Sequence, residues 1–387
     1  MPDVTPQERR ILDWLAAQRP AMLALLADLV NTDSGSYDKP GVDAVGARLQ
    51  EFLERHGIAP DVIPDARFGD ALRASVGSGP NTTVLLMGHR DTVFAQGEAS
   101  RRPFRIEGTR AYGPGVADMK PGLVMNAFVL AAFAKFGGAP APLVGLFTAD
   151  EEIGSPSSRG LIEAEARRAR AVFNAEPGRP SGAVVTRRKG GVFMQLAVTG
   201  KAAHSGANFE QGISAIEELA RKITALHALT DIPRGITVNV GLVRGGQTVN
   251  TVAPSAEAEI DLRFLTRADR DVTMARIRSI GDTTYVAGTS AELKIFGEFL
   301  PLVETPDGER LYRHYAGCAE ALGAKIPAEF TGGCADSGFA ASAGAPTLCA
   351  TGPVGGKAHT PEEYLDVDSI VPRAQALALA ILRLGQP

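Results

Sequence analysis

Residues 83–93 read TVLLMGHRDTV, and the rest of the chain is best read outward from them. Thr83 to Met87 is a short apolar run without alternation, the pattern of a strand buried on both faces of a sheet. It ends directly in Gly88, His89 and Asp91. Ligand-binding groups collect at such carboxyl ends of strands in open α/β sheets. Leu143–Phe147 and Ala171–Phe173 repeat the apolar run. Between and around them lie segments with helical patterning: residues 7–31, Gly41–His56, and Pro121–Phe136 with its proline near the start. Helices alternating with buried strands predict an α/β domain, a mixed sheet covered by helices.

The middle of the chain has a different rhythm. Ala256–Phe264 alternates cleanly. Ala256, Ala258, Ile260, Leu262 and Phe264 share one face, and Glu257, Glu259, Asp261 and Arg263 the other. That is a half-exposed strand. Val192–Val198, Ile236–Leu242 and Glu292–Phe296 read as further strands, and Glu210–His227 and Ala268–Ile280 as helices. The order β-α-β-β-α-β is ferredoxin-like. A small α+β domain over 189–300 is therefore expected as an insertion. A discontinuous first domain is built from 1–188 and 301–387, where helices over Leu311–Leu322 and Ser369–Leu384 and a strand at Thr347–Ala350 resume the α/β pattern. A chain of 387 residues agrees with two domains.

The net charge of −4 gives no electrostatic reason to expect nucleic acid or an anionic membrane as a partner. No apolar run approaches the ~20 residues of a membrane span. The N-terminus lacks the pattern of a secretory signal. Cys318, Cys334 and Cys349 are odd in number and unpatterned in spacing, which reads as reduced thiols and a cytoplasmic protein.

Five places in the first domain pattern carry metal-binding chemistry, each after a strand or in a glycine-rich loop. His89 follows TVLLM, with Asp91 placed to orient its ring or to hold the loop. Asp118 lies in YGPGVADMKPG, where Gly113, Gly115 and Gly122 permit tight turns. A carboxylate there could bridge two metals ~3.5–4 Å apart. Glu151 and Glu152 follow Leu143–Ala149, and adjacent carboxylates repel unless cations or protons intervene. Extended backbone would point the two apart, one to metal and one to substrate. Glu176 follows AVFNA, and His359 lies in GPVGGKAHTPEEY. Each has an ordinary reading as a loop or helix-start residue. The set of two imidazoles and four carboxylates suits zinc, and also cobalt or manganese.

The series HxD, GPGxxDMKxG, TADEE, AEP, KAAHSG and GGKAHT resembles the M20 family of metallopeptidases over nearly the whole chain, with the glutamate carboxypeptidases of the carboxypeptidase G type nearest in pattern. The resemblance implies an amide-cleaving enzyme with two divalent metal ions per chain, zinc by preference. It implies that His89, Asp118 and Glu176 hold one ion, and Asp118, Glu152 and His359 the other. Glu151 is then the general base and Asp91 the partner of His89. The Asp118–Met119 peptide is expected to be cis, Met119 standing where many relatives have Asp or Gly. His204, in GKAAHSG, would stabilise the oxyanion and reach the site of a second subunit in a homodimer formed through the inserted domain, which serves as lid. Asn250, Arg263, Gly332 and Gly333 resemble substrate-binding positions for a small-molecule or peptide substrate. Leu300–Pro301 stands where glutamate-specific relatives carry a basic residue; Arg187, Arg188 and Lys189 are the nearby basic groups. An N-acyl-amino-acid deacylase acting on small conjugates is the alternative activity. A non-catalytic metal-binding protein would have lost Glu151, and a nucleotide-binding protein would need a phosphate loop that GPGVADMKPG is not.

Overall fold

The computed structural model describes residues 4–79 and 82–385. It divides into two compact units, Met1–Arg187 with Glu304–Thr331 and Phe339–Pro387, and Arg188–Val303 with Gly332–Gly338. The sequence expectation assigned all of 301–387 to the first domain. Gly332–Gly338 instead goes with the second unit, because Arg188 donates to the carbonyls of Gly333 (3.4 Å) and Cys334 (3.2 Å), and Arg263 contacts the Cys334 Sγ at 2.7 Å.

The first unit is built on a six-stranded mixed sheet in the order Asp61–Ile63, Ala71–Val76, Leu143–Thr148, Thr83–His89, Ala169–Asn174, Thr347–Leu348. The last four are mutually parallel, and Ala71–Val76 runs against them. Every residue of Thr83–His89 is buried, as the uninterrupted apolar run requires. Lys120–Phe136 packs beside this strand and is buried along nearly its whole length.

The helix expected over 7–31 is two helices, Pro6–Ala17 and Arg19–Val30. Pro20 cannot donate into a continuing helix, so the chain breaks before it. The first is closed by a Thr5–Glu8 capping box, and Glu8 also pairs with Arg383 at 2.7 Å. The two ends of the chain thus share one core.

The second unit is a four-stranded antiparallel sheet in the order Thr237–Gly245, Ser255–Phe264, Gly190–Thr199, Ser290–Phe299. Helices Ala215–His227 and Arg267–Asp282 cover one face. Val192, Met194, Leu196, Ile260, Leu262 and Phe264 make the core beneath them. The topology is ferredoxin-like, as the alternation predicts. The helix expected from Glu210 starts at Ala215, capped by Ser214, and a separate 3-10 turn precedes it.

Sequence reading missed a second sheet in the first unit: Gly355–Gly356, Tyr364–Asp366, Arg110–Tyr112, Arg105–Glu107. Its strands are two or three residues long. They anchor two of the loops that build the site.

Candidate metal centre

Parallel strands bring their carboxyl ends to one edge of a sheet. His89 closes Thr83–His89, Glu151 and Glu152 follow Leu143–Thr148, and Glu176 follows Ala169–Asn174. Asp118 comes to the same edge from the loop before Lys120–Phe136, whose start packs on the strand end through Gly122. A Cβ there would strike the Ala175 carbonyl. Gly122 is thus required for close approach within a helix, whereas Gly115 (φ 71°) supplies the left-handed turn. The Asp118–Met119 peptide is cis.

Donor atoms of His89, Asp118 and Glu176 converge within 4.8 Å of one another, and so do those of Asp118, Glu152 and His359. His89 Nε2 lies 3.2 Å from Asp118 Oδ1 and 3.7 Å from Glu176 Oε1. His359 Nε2 lies 3.4 Å from Asp118 Oδ2 and 3.2 Å from Glu152 Oε2. Asp118 offers one oxygen to each set.

Asp91 does more than orient His89. The His89 Nδ1 is 3.0 Å from the backbone carbonyl of Asp91 and 3.4 Å from its carboxylate. That carboxylate accepts from the Ser36 hydroxyl (2.7 Å) and from the N–H groups of Glu151 and Glu152 (both 3.1 Å). It therefore ties the histidine strand to the two-glutamate turn. Glu151–Ile153 is a 3-10 turn rather than the extended backbone expected. Both glutamates consequently face the centre: Glu151 Oε2 lies 3.9 Å from His89 Nε2, and Glu152 reaches His359.

The electrostatics are those of crowded anions. Burial and the Asp118 charge push the Glu152 carboxyl up to about 7. Contacts with Asp118 and Glu152 carry His359 up to about 10. Burial alone would lower His89, but Asp118 and Asp91 hold its imidazole well above the ordinary value. Asp118 is buried, which would raise it, yet the two histidines keep it well below the usual carboxylate range. The residues fit a pair of cations on a second ground. The buried His89 Nε2, Asp118 Oδ1 and Glu152 Oε1 make no hydrogen bond, which is costly for polar atoms unless something else engages them.

A cavity of about 360 Å³ opens beside Glu152, with Tyr37, Thr92, Phe94 and Ile153 among its walls. Glu363, absent from the sequence-based candidates, lies beneath the centre. It accepts the N–H groups of Gly115 (3.0 Å), Ala117 (2.8 Å) and Asp118 (2.8 Å), and burial pushes its carboxyl up to about 7. Lys120 is also buried, its ammonium lowered to about 7 by desolvation while donating to the Thr32 carbonyl at 2.9 Å.

The remaining candidates lie in the second unit and form two groups. Arg263 is braced by Asp261 (2.8 Å), contacts Cys334, and stacks over the Phe193 ring, which puts it beside the Gly332–Gly333 loop. His204 is exposed and bridges to Thr251, while the Asn250 carbonyl accepts from Ser205 N–H at 2.9 Å. The His204 Nδ1 accepts from Gly206 and Ala207 N–H, both at 3.2 Å. A neutral ring so held carries its proton on Nε2 and can donate it. Arg263 pairs with Gly191, whereas Ser255 and Thr199 pair at the end nearer His204. That register separates the two groups by roughly 26 Å of strand at about 3.3 Å per residue. Leu300 is buried, and Arg188 is buried rather than solvated.

The fold sets two groups of residues that could hold metal ions at the edge of its sheet, and comparison with known proteins gives its family. Residues 85–383 match peptidase family M20/M25/M40, and the chain belongs to it. It is a metallo-amidohydrolase of that family. It is 29% identical to Carboxypeptidase G2 of Pseudomonas sp. (strain RS-16), covering 95% of this chain and 90% of that protein. It is also 29% identical to acetylornithine deacetylase of Proteus mirabilis (strain HI4320), over 94% and 96% of the two chains. Among solved structures, an M20 family metallo-carboxypeptidase from Sulfolobus solfataricus superposes with a TM-score of 0.77 at 19% identity, covering 93% of this chain and 98% of that one.

Proposed function

We propose that the enzyme hydrolyses an amide bond in an N-acyl amino acid or short peptide, using two divalent ions, zinc by preference, held by His89, Asp118 and Glu176 and by Asp118, Glu152 and His359. The observation that carries this is the pair of donor sets sharing Asp118, with buried atoms that make no hydrogen bond. Imidazole with carboxylate suits zinc, cobalt or manganese. The bound pair supplies positive charge that acidifies water and polarises an amide carbonyl. Glu151 takes the proton from the attacking water and delivers it to the leaving amine. Its backbone is pinned by Asp91, so its carboxylate stays at the edge of the centre. His204 donates Nε2–H to the oxyanion. Arg263, Asn250, Gly332 and Gly333 contact substrate, and the cavity beside Glu152 is of a size for a small ligand group.

The separation of His204 and Asn250 from Arg263 along one sheet supports a homodimer formed through the second unit, in which His204 serves the partner's site. None of the three cysteines forms a disulfide among the described residues, which supports a cytoplasmic location. No helix among the described residues is long and apolar enough to cross a membrane.

A carboxypeptidase-like activity draws support from the likeness to Carboxypeptidase G2. The deacylase reading draws on the likeness to the acetylornithine deacetylases and on Leu300, buried and apolar at the position that resembles the one where glutamate-specific relatives carry a basic residue for the substrate carboxylate. Release of free amine from a panel of N-acyl amino acids and dipeptides separates them. Glu151→Ala should cut turnover by about 10²–10⁴-fold with both ions retained. Retained activity would put the general base elsewhere. His204→Ala should keep its metal and lose about 10²–10³-fold in kcat; unchanged kinetics would remove it from the oxyanion.

A further inference from the structure

We propose that Glu363 is a positioning residue for the metal centre, holding the Gly115–Asp118 turn and the His359 segment as one piece. The inference rests on the metal reading above and adds a residue to it. Glu363 is fully buried, and its two oxygens take three backbone N–H groups, one of them that of Asp118 itself. These N–H groups precede the helix Lys120–Phe136, whose start has no side-chain cap of its own. One carboxylate thus satisfies donors that would otherwise be buried without an acceptor.

The placement follows from the small sheet. Tyr364 pairs with Tyr112, so Glu363 emerges beside Gly113, at the start of the turn. Its own N–H donates to the Thr360 carbonyl at 3.2 Å, closing the short loop that begins at His359. His359 sits there with a left-handed φ of 64°. Movement of the Glu363 carboxylate would therefore displace Asp118, which serves both donor sets, and His359, which serves one. Groups that orient metal ligands commonly set affinity by about 10–100-fold.

Glu363→Gln keeps the shape but has one acceptor oxygen and turns its amide hydrogens toward backbone donors. The full-length variant is loaded with Zn2+ or Co2+ and titrated with a competing chelator. Its metal-free melting and circular dichroism report the fold. The expected result is a wild-type circular dichroism spectrum, metal affinity weakened by about 10–100-fold, and shifted Co2+ visible absorption bands. Wild-type affinity and wild-type Co2+ bands would overturn the proposal. Hydrogen exchange of residues 113–119 in the metal-free wild-type protein tests it without a variant. Slow exchange is expected, because Glu363 rather than metal holds the turn. Free exchange until metal is added would overturn it. A wild-type protein that binds no divalent ion would instead sink the metal reading, and this inference with it, even where those amides are protected.

Discussion

The two donor sets share Asp118 and differ in almost everything else. The first is made by the sheet: His89 and Glu176 end neighbouring parallel strands, and the His89 side chain is 1% exposed. The second is closed by a loop: His359 follows Lys357 and sits with it in left-handed backbone, and its side chain is 51% exposed. One set is an extension of the core, while the other faces the solvent from which substrate and water arrive. Catalytic metal sites need that open side. The difference suggests a tightly held ion and an exchangeable one.

The strongest way to break this comparison is to remove the shared residue. Asp118→Ala should lose both ions and all measurable turnover; a variant that keeps one tightly bound ion would show that the sets are independent. Next come the two histidines, taken as a pair. His89→Ala should lower the melting temperature of the protein as well as its metal content, because it empties a buried position between packed strands. His359→Ala should lose one ion and lower the metal-free melting temperature less than His89→Ala does, because its side chain is half exposed and leaves no buried gap. Equal destabilisation by the two substitutions would erase the distinction between core and loop.

A smaller effect is the pH dependence of the metal-free protein. Glu152 is raised to about 7 from its ordinary 4.5, and His359 to about 10 from 6.5. Both bind protons more tightly folded than unfolded. Their contribution to stability is therefore complete below the unfolded values and is lost as pH rises through about 7 and then about 10. The metal-free melting temperature should fall over that range. Ions must displace these protons, so their affinity should rise with pH, and calorimetry in two buffers of different ionisation enthalpy should detect proton release on binding. Binding without proton release would contradict the charge state assigned to His359.

How much of this was legible in the sequence follows the same division. Apolar runs such as Thr83–Met87 announce buried strands, and the polar residues just beyond them fall on one edge by the geometry of parallel pairing. The alternation of Ala256–Phe264 announces the second unit, where the strand runs Ser255–Phe264. Features set by contacts between distant short segments were not legible. Glu363 reads as one of two acids in TPEEY, and its role exists only because Tyr364–Asp366 pairs with Arg110–Tyr112, strands too short to carry a period. Arg90, between two site residues, drew no reading from the sequence. It is buried and donates to the carbonyls of Thr148 and Val42. The paired glutamates were found, but the 3-10 turn that aims both inward was not, because nothing local distinguishes it from extended chain.

The most direct test of the account is metal analysis of the purified wild-type protein during graded chelation, with turnover measured at each step. The account predicts two divalent ions per chain, leaving in two stages, with turnover lost as the first ion departs and the fold retained after both have left. A protein that stays active after both are removed, or that never holds more than one, would contradict it.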